Sequence, residues 1–452
     1  MKRRAGIVVM VCASMAVPAV AAAQDQVWLK NRQYTEGIGY RVGDFELHPG
    51  AAAEFGYDSN FFRRGPNDDG GPVGALRFRI TPSLSLSTLS KQRLENGATG
   101  SQPDFEFRAA IAATYHDFIP VSGPQDGQDA MAINRNVSGS LDLALNILPG
   151  RPWSGTINAG VARSLTPVEQ GLPGLRFNRI IPHANAELVW TPGRGLFDWR
   201  LGYGFSGTFF ESSAYGQLTN IQNQIETRGR WRFLPRTALF YDAKLGFISY
   251  TAPTVDGKTG SHPLRTTIGI NGLVTSSFSV LAAVGWGASF YDTPSIGGDQ
   301  NFNSVIGQLE LKWFITPNPT TDPGAATLSL SSLAVGFTRD FADSYIGTYF
   351  ERDRVYANLS YFFGGRFLVV VDGGVAPIIY PPIVVLGKPT AFTTIRIDAS
   401  LFGEYRFKDS FGVNATVKYT QNATGETITT DNVVDELKWQ QIEAYLGFRW
   451  FM

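Results

Sequence analysis

The sequence predicts an all-β fold, a transmembrane antiparallel up-and-down β-barrel of about eighteen strands. Three observations predict it. Segments of alternating apolar and polar side chains recur through the chain, the links between them alternate between short and long, and the last stretch keeps alternating up to the final residue. A strand has a period of two, so each such segment carries one greasy face and one wettable face. Outside the first residues no apolar run is long enough for a membrane helix. A membrane protein without such runs must be a closed barrel, because lipid tolerates no unpaired backbone.

Taken in order, residues 1–23 read as a secretory signal peptide. Lys2, Arg3 and Arg4 precede an apolar run from Ile7 to Val20, and Ala21-Ala22-Ala23 supplies the small residues of a cleavage site. The run is short for a bilayer-spanning helix of about 20 residues. Cleavage after Ala23 removes Cys12, the only cysteine of the chain, which suits an exported protein without disulfides. Residues 24–44 form a periplasmic N-terminal segment, and the barrel occupies 45–452.

The first strand runs from Phe45 to Tyr57, with Phe45, Leu47, Ala51, Ala53 and Phe55 on one face. In the second, Leu76, Phe78, Ile80, Leu84 and Leu86 oppose Arg77, Arg79, Thr81, Ser83 and Ser85. Trp199 to Phe209, Val280 to Phe290 and Ile395 to Phe407 behave alike. All satisfy the roughly 9–11 residues a membrane strand needs. Two stretches fit less well. The phase slips at Ser331-Ser332, which predicts a bulge, and Phe367 to Val371 is apolar on both faces. Merging or splitting a hairpin there gives about sixteen or twenty strands.

Links from even to odd strands are mostly tight, as at Leu148 to Arg151, Leu234 to Arg236, Thr275 to Ser277 and Lys408 to Ser410. Links from odd to even strands, such as Asp58 to Gly74, Asp117 to Ala130, Ser164 to Phe177 and Asn422 to Asp435, are long and polar. Tight periplasmic turns and long outer loops are the asymmetry of outer-membrane barrels. Ser90 to Asp104 and Thr316 to Gly324 break it. Trp153, Trp190, Trp199, Trp231, Trp313 and Trp450 fall at the tight-turn rim. Tyr57, Tyr115, Phe209, Tyr250, Tyr291 and Tyr419 fall at the other, which predicts two aromatic girdles.

If the apolar face meets lipid, the other face lines the lumen. The candidates for pore-lining charge are Glu54, Arg77, Arg79, Glu106, Arg108, Glu187, Arg200, Glu226, Arg228, Arg230, Lys312, Arg396, Asp398 and Glu443. Such a barrel is wide enough for an aqueous channel. Mixed charge among Ser, Thr, Asn and Gly suits a hydrophilic solute; any single pair reads first as a cross-strand ion pair, but their joint presence argues against a purely apolar conduit. The segment Ala376 to Ala391, with Ile378, Tyr380, Pro381 and Val384, reads as an apolar loop. Either it folds over the mouth or into the lumen as a constriction, or two strands simply project beyond the bilayer.

The final strand ends the chain on Gly447, Trp450 and Met452, which fit the C-terminal assembly signal read by the barrel-assembly machinery, with Phe451 one place early. Without the signal peptide the chain has 36 basic and 39 acidic residues, a net −3. That excludes the basic surface of a nucleic-acid partner. His48, His116, His183 and His262 lie on separate segments without metal-ligand spacing, and there is no P-loop, G-x-S-x-G elbow or EF-hand. No cofactor is implied, and the chain reads as non-catalytic.

The stretch Gly39-Tyr40-Arg41-Val42-Gly43-Asp44-Phe45-Glu46-Leu47-His48-Pro49-Gly50, followed by Glu54-Phe55-Gly56-Tyr57-Asp58-Ser59-Asn60-Phe61-Phe62, resembles the opening of the β-barrel porin family found with bacterial exopolysaccharide gene clusters. Members begin with G-x-R-x-G-x-F-x-L-x-P and reach Y-D-x-N at the end of the first strand. Tyr40 replaces part of the usual lead-in. The resemblance implies an outer-membrane passage for a secreted polysaccharide, fed by periplasmic and inner-membrane export components. Residue pattern alone leaves three readings open: that one, a diffusion or uptake porin for small solutes, and a barrel adhesin.

Overall fold

The alternating segments fold into eighteen strands, each hydrogen-bonded antiparallel to the next, and the last pairs with the first. The computed structural model describes residues 39–68, 71–88, 104–133, 136–165, 177–251, 259–292, 301–315, 331–345, 347–364, 366–385, 388–408, 410–424, 427–430 and 433–452. The signal-peptide reading and most of the 24–44 segment lie outside them. So do nearly all of the two irregular links near 90–104 and 316–324.

The wall begins with β1 (Phe45–Asp58), β2 (Gly74–Thr88), β3 (Phe105–Ser122), β4 (Asn136–Ile147), β5 (Trp153–Ser164) and β6 (Arg179–Trp190). It continues with β7 (Phe197–Phe210), β8 (Asn220–Leu234), β9 (Thr237–Tyr250), β10 (Ser261–Leu273), β11 (Phe278–Tyr291) and β12 (Phe302–Phe314). β13 (Ser332–Asp343), β14 (Tyr349–Phe363), β15 (Phe367–Val385), β16 (Lys388–Lys408), β17 (Phe411–Ala423) and β18 (Trp439–Phe451) complete it. β18 closes on β1 from Gly50–Phe451 to Asp58–Glu443. At about 3.4 Å per residue, a twelve-residue strand tilted near 45° spans the hydrocarbon of a bilayer. A short strand, Tyr40–Val42, turns back on the start of β1.

Burial follows the predicted parity and is inverted relative to a water-soluble protein. On β18, Leu446 is 66% exposed while Arg449 is 1% exposed. Around the cylinder Phe78, Ile111, Leu201, Ile268, Val284, Leu309 and Val355 point outward, and charged and hydroxyl groups point inward. This is the arrangement lipid requires of a closed sheet. Trp153 and Trp190 stack at the tight-turn rim, with Phe197 edge-on to Trp190.

Three expectations need correction. The segment Ala376 to Ala391 is not a loop. It is the top of a long hairpin in which Ile378 pairs with Thr394 and Val384 with Pro389. Its β-branched and aromatic residues favour extended backbone, and Pro381 and Pro382 are accommodated where the register shifts between Tyr380 and Ile383. The slip at Ser331-Ser332 is not a bulge: β13 starts at Ser332, and its pairing with β12 and β14 runs without a shift. Tyr250 and Tyr291 leave the outer girdle, because both hydroxyls donate inward to Asp343. The apolar stretch at Phe367 to Val371 has a cause of its own. Leu368 and Val370 face inward and pack on Phe402 and Ala52.

Candidate translocation lumen

The predicted charged candidates all face the inside of the cylinder, but their surroundings divide the wall into three sectors. On β6 to β9 they form a continuous lattice. Arg200 Nη1 donates to Glu187 at 2.9 Å and its Nε to Asp198 at 3.2 Å; Arg230 reaches the other oxygen of Asp198 at 2.9 Å. Arg228 bridges Glu187 and Glu226, and Lys244 lies 3.8 Å from Glu226 and 3.7 Å from Asp242. Four cations therefore meet four carboxylates. Sequence parity placed them on one face, and register puts them within reach: Arg200 opposite Arg228, Asp242 opposite Arg228, Lys244 opposite Glu226.

The second sector, on β12 to β16, mixes ions with amides and one phenol. Tyr356 donates to Glu310 at 2.6 Å and receives Gln308 at 3.3 Å. Arg354 binds Asp398 at 2.5 Å and Asp372 at 3.4 Å, and Asn358 also reaches Asp372. Lys312 lies over the ring of Phe314, 5.6 Å from its centre.

In the third sector, β16 to β18 with β1 to β4, the charges on β1 and β2 are sealed by packing. Arg77 donates to Asp58 at 2.9 Å and to Glu443 at 3.2 Å, and its guanidinium lies against Phe61, Phe118 and Tyr445. Arg79 pairs with Glu54 at 3.1 Å and sits 3.9 Å above Tyr445. Arg396 lies over Trp439. Burial here is nearly complete, with Glu54 and Arg77 4% exposed, so these groups are wall rather than water-washed lining. Glu106 accepts a bond from Asn146 at 3.4 Å, and Arg108, half-buried, faces inward beside it. The final strand is fitted to this sector. A side chain at Gly447 would collide with Asn414 and Glu54, and Met452 donates its N–H to the Pro49 carbonyl at 3.0 Å. Trp450 sits between Phe411 and Ala51.

Alternation along the chain does not foretell the covered mouth. Phe61, Phe62, Val73, Phe118, Met131, Phe177, Tyr215 and Leu218 form one buried apolar core drawn from the end of β3 and from the β1–β2, β3–β4, β5–β6 and β7–β8 links. The helix Gln125–Ile133 and the 3₁₀ turn Ser213–Leu218 belong to it. The signal that could have revealed it is the pair Phe61-Phe62, aromatics in a link otherwise polar. Asp68 fastens the first link to the last by accepting the N–H of Gly65 and of Glu436, each at 2.6 Å. On the far side Ile378, Tyr380, Phe392 and Leu437 make a second buried cluster with Phe350 against it. Pro381 is buried beside them.

Closure by eighteen antiparallel strands, a greasy exterior and an ionic interior define the class. The fold is a closed transmembrane β-barrel of eighteen antiparallel strands. No family model matches the chain, and no curated protein matches it. Among solved structures it is similar to a BenF-like porin from Pseudomonas fluorescens Pf-5, with TM-score 0.47, 10% identity, 91% of this chain and 100% of that one covered. It is also similar to the outer membrane protein opdK from Pseudomonas aeruginosa, with TM-score 0.46, 10% identity and coverage of 91% and 100%. A bacterial polysaccharide outer membrane secretin aligns with TM-score 0.36, 8% identity and coverage of 88% and 97%.

Proposed function

We propose that this barrel is an outer-membrane conduit that carries a secreted polysaccharide to the cell surface. The observation that carries the reading is the charge-balanced lattice on β6 to β9. Each of its carboxylates already has a cation beside it. Such a wall offers alternating donors and acceptors without a net field. A polyhydroxylated chain can exchange hydrogen bonds along it, whereas a pore that selects small ions presents one sign of charge at its narrows. The opening of β1, which resembles exopolysaccharide-linked barrels, supports the same reading.

On this proposal the chain enters the outer membrane through the barrel-assembly machinery, which reads Gly447, Trp450 and Met452. Periplasmic polysaccharide-export components deliver the polymer to the tight-turn rim. The β6 to β9 and β12 to β16 sectors touch it, and outer-membrane lipid surrounds the apolar belt. No step of covalent chemistry is assigned.

Disruption of the gene tests the proposal. Loss of surface polysaccharide with unchanged small-solute uptake is the expected result. Altered uptake with polysaccharide intact would instead identify a diffusion porin, and lost attachment with both intact would identify an adhesin.

A further inference from the structure

We propose that the hairpin joining β13 to β14 is a gate, curled into the lumen in this structure and able to stand up into line with β12. The pairing of β12 with β13 ends at Gly307 and Arg339, although β12 continues to Phe302 and β13 to Asp343. β13 meanwhile stays paired with β14 up to Asp343 and Tyr349. Beyond Arg339 the hairpin has left β12, while on its other side β14 stays paired with β15 out to Glu351 and Ile379.

Side-chain positions show where it went. Val335 and Phe337 face lipid, so Phe341 would face lipid too if the strand ran on straight. Instead Phe341 is 2% exposed, stacked 4.1 Å from Phe302 on the inner wall, with the Arg265 guanidinium 4.0 Å from its ring. Arg265 also donates to Asp340 at 3.1 Å. Asp343 accepts bonds from Tyr250 on β9 at 3.3 Å, Ser261 on β10 at 3.2 Å and Tyr291 on β11 at 3.3 Å. Tyr345 meets Phe210 of β7 edge-on at 6.3 Å, where the mouth-covering core begins. The hairpin thus crosses in front of β12, β11, β10, β9 and β8.

The edge it vacated still fits it. Continuing the register past Gly307–Arg339 would set Ile306 against Asp340, Val305 against Phe341 and Asn303 against Asp343. Arg339 stands at the branch point. It donates to the Val305 carbonyl at 3.1 Å and to Ser304 at 3.3 Å while paired with Glu351 at 2.6 Å and Asp353 at 3.1 Å. A strand-edge carbonyl needs a partner, and the side chain supplies one while the neighbouring strand is away. Two discrete arrangements of one sheet, each with its own set of partners, make a bistable element. Asp343 and Tyr345 hold the curled one.

The gate rests on the barrel being a conduit and not on what it carries, so the test uses salt alone. The purified full chain is inserted in planar bilayers and its KCl conductance recorded, with the heat-induced electrophoretic shift checking that each variant is folded. Asp343→Ala and Tyr345→Ala should each raise the occupancy of a higher-conductance state about tenfold, the scale of losing bonds to one buried charge or one ring contact. Ser261→Cys with Asp343→Cys should hold the low-conductance state until reductant is added. Asn303→Cys with Asp343→Cys should hold the high-conductance state until reductant is added. Equal conductance of the two cross-linked forms, or failure of the second pair to cross-link in any condition, overturns the gate. If the conductances differ but gene disruption leaves surface polysaccharide intact, only the cargo reading fails.

Discussion

Glu404 on β16 and Arg449 on β18 form a deeply enclosed ion pair, 2% and 1% exposed. Arg406 adds a second cation to Glu404 at 2.8 Å, and Arg449 lies 5.0 Å from the Phe451 ring. Glu404→Ala leaves the Arg449 charge in a closed pocket with no counter-ion. Breaking a buried pair in this way costs about 3–5 kcal/mol. With a slope near 3 kcal/mol per molar urea, the unfolding midpoint should fall by about 1–1.7 M. The double replacement Glu404→Leu with Arg449→Met removes both charges, and its midpoint should return to the parent value or above it. Arg449 Nε and Nη1 have no hydrogen-bond partner in the structure, so the native pair is not fully satisfied and an apolar substitute has little to beat. Arg406 is partly exposed and can turn to water. The assay is a urea titration of the barrel folded into phospholipid vesicles, read by tryptophan emission and by the folded electrophoretic band. A double variant as unstable as Glu404→Ala would refute the reasoning, since the pocket would then require charge. An unshifted Glu404→Ala would refute it too, since the pocket would have to be wet.

The other predictions concern the belt, the tall hairpin and one loop ion pair. Leu309→Arg, on the lipid face of β12, should cost about 2–4 kcal/mol in the same titration, whereas Leu234→Arg at the tight-turn rim should cost about 1 or less. Deleting Ile378 to Leu386 should raise single-channel conductance, because Tyr380 backs Phe350 at 6.0 Å; unchanged conductance would rule out any constriction by this segment. Glu211 just beyond β7 is held below the ordinary carboxylate range by hydrogen bonds from Arg163 at 2.5 and 2.8 Å. The contribution of a depressed carboxylate is present above its unfolded pKa and is lost as pH falls through the folded one. Limited proteolysis near 211 should therefore accelerate at acid pH in the parent and be fast at all pH in Glu211→Gln.

Lipid made the wall legible in the sequence. It demands apolar side chains at every second position and a closed edge, so alternation at Leu76 to Leu86 or Ile442 to Met452 left little choice of fold. Tight turns were readable for a similar reason: Leu148 and Gly150 adopt positive φ between β4 and β5, and Pro-Gly marks such a turn. Where inner and outer faces are both apolar the code fails. Phe367 to Val371 hid an inner cluster with Phe402, and Ile378 to Val385 looked like a loop because strands above the bilayer need not alternate. The inner charges were legible as a set but not in their pairing, since that depends on which strands register. Whether Arg77 lines water or is sealed depends on Phe61, from the β1–β2 link, and Phe118, from the far end of β3. The curl at Arg339 was not legible at all, because Phe337 and Phe341 obey one parity while touching opposite sides of the wall.

On the proposed function, a conduit for a polymer faces two demands that oppose each other. It must be wide enough for a hydrated chain, yet a cylinder of eighteen strands left open would pass small solutes. In this barrel the two demands fall on different parts. The ring of strands sets the width. Obstruction comes from apolar and hydroxyl contacts above the belt, made by links whose aromatic residues have no reason to face lipid. Such contacts can be exchanged one at a time without breaking the ladder that keeps the wall closed. The charge-balanced lattice of β6 to β9 fits the same division. A net field at the narrows would favour ions of one sign whenever the mouth opened, whereas paired charges add grip for hydroxyl groups and little pull on salt. A barrel that admitted small anions far more readily than neutral sugars would contradict that division, whatever the position of the hairpin.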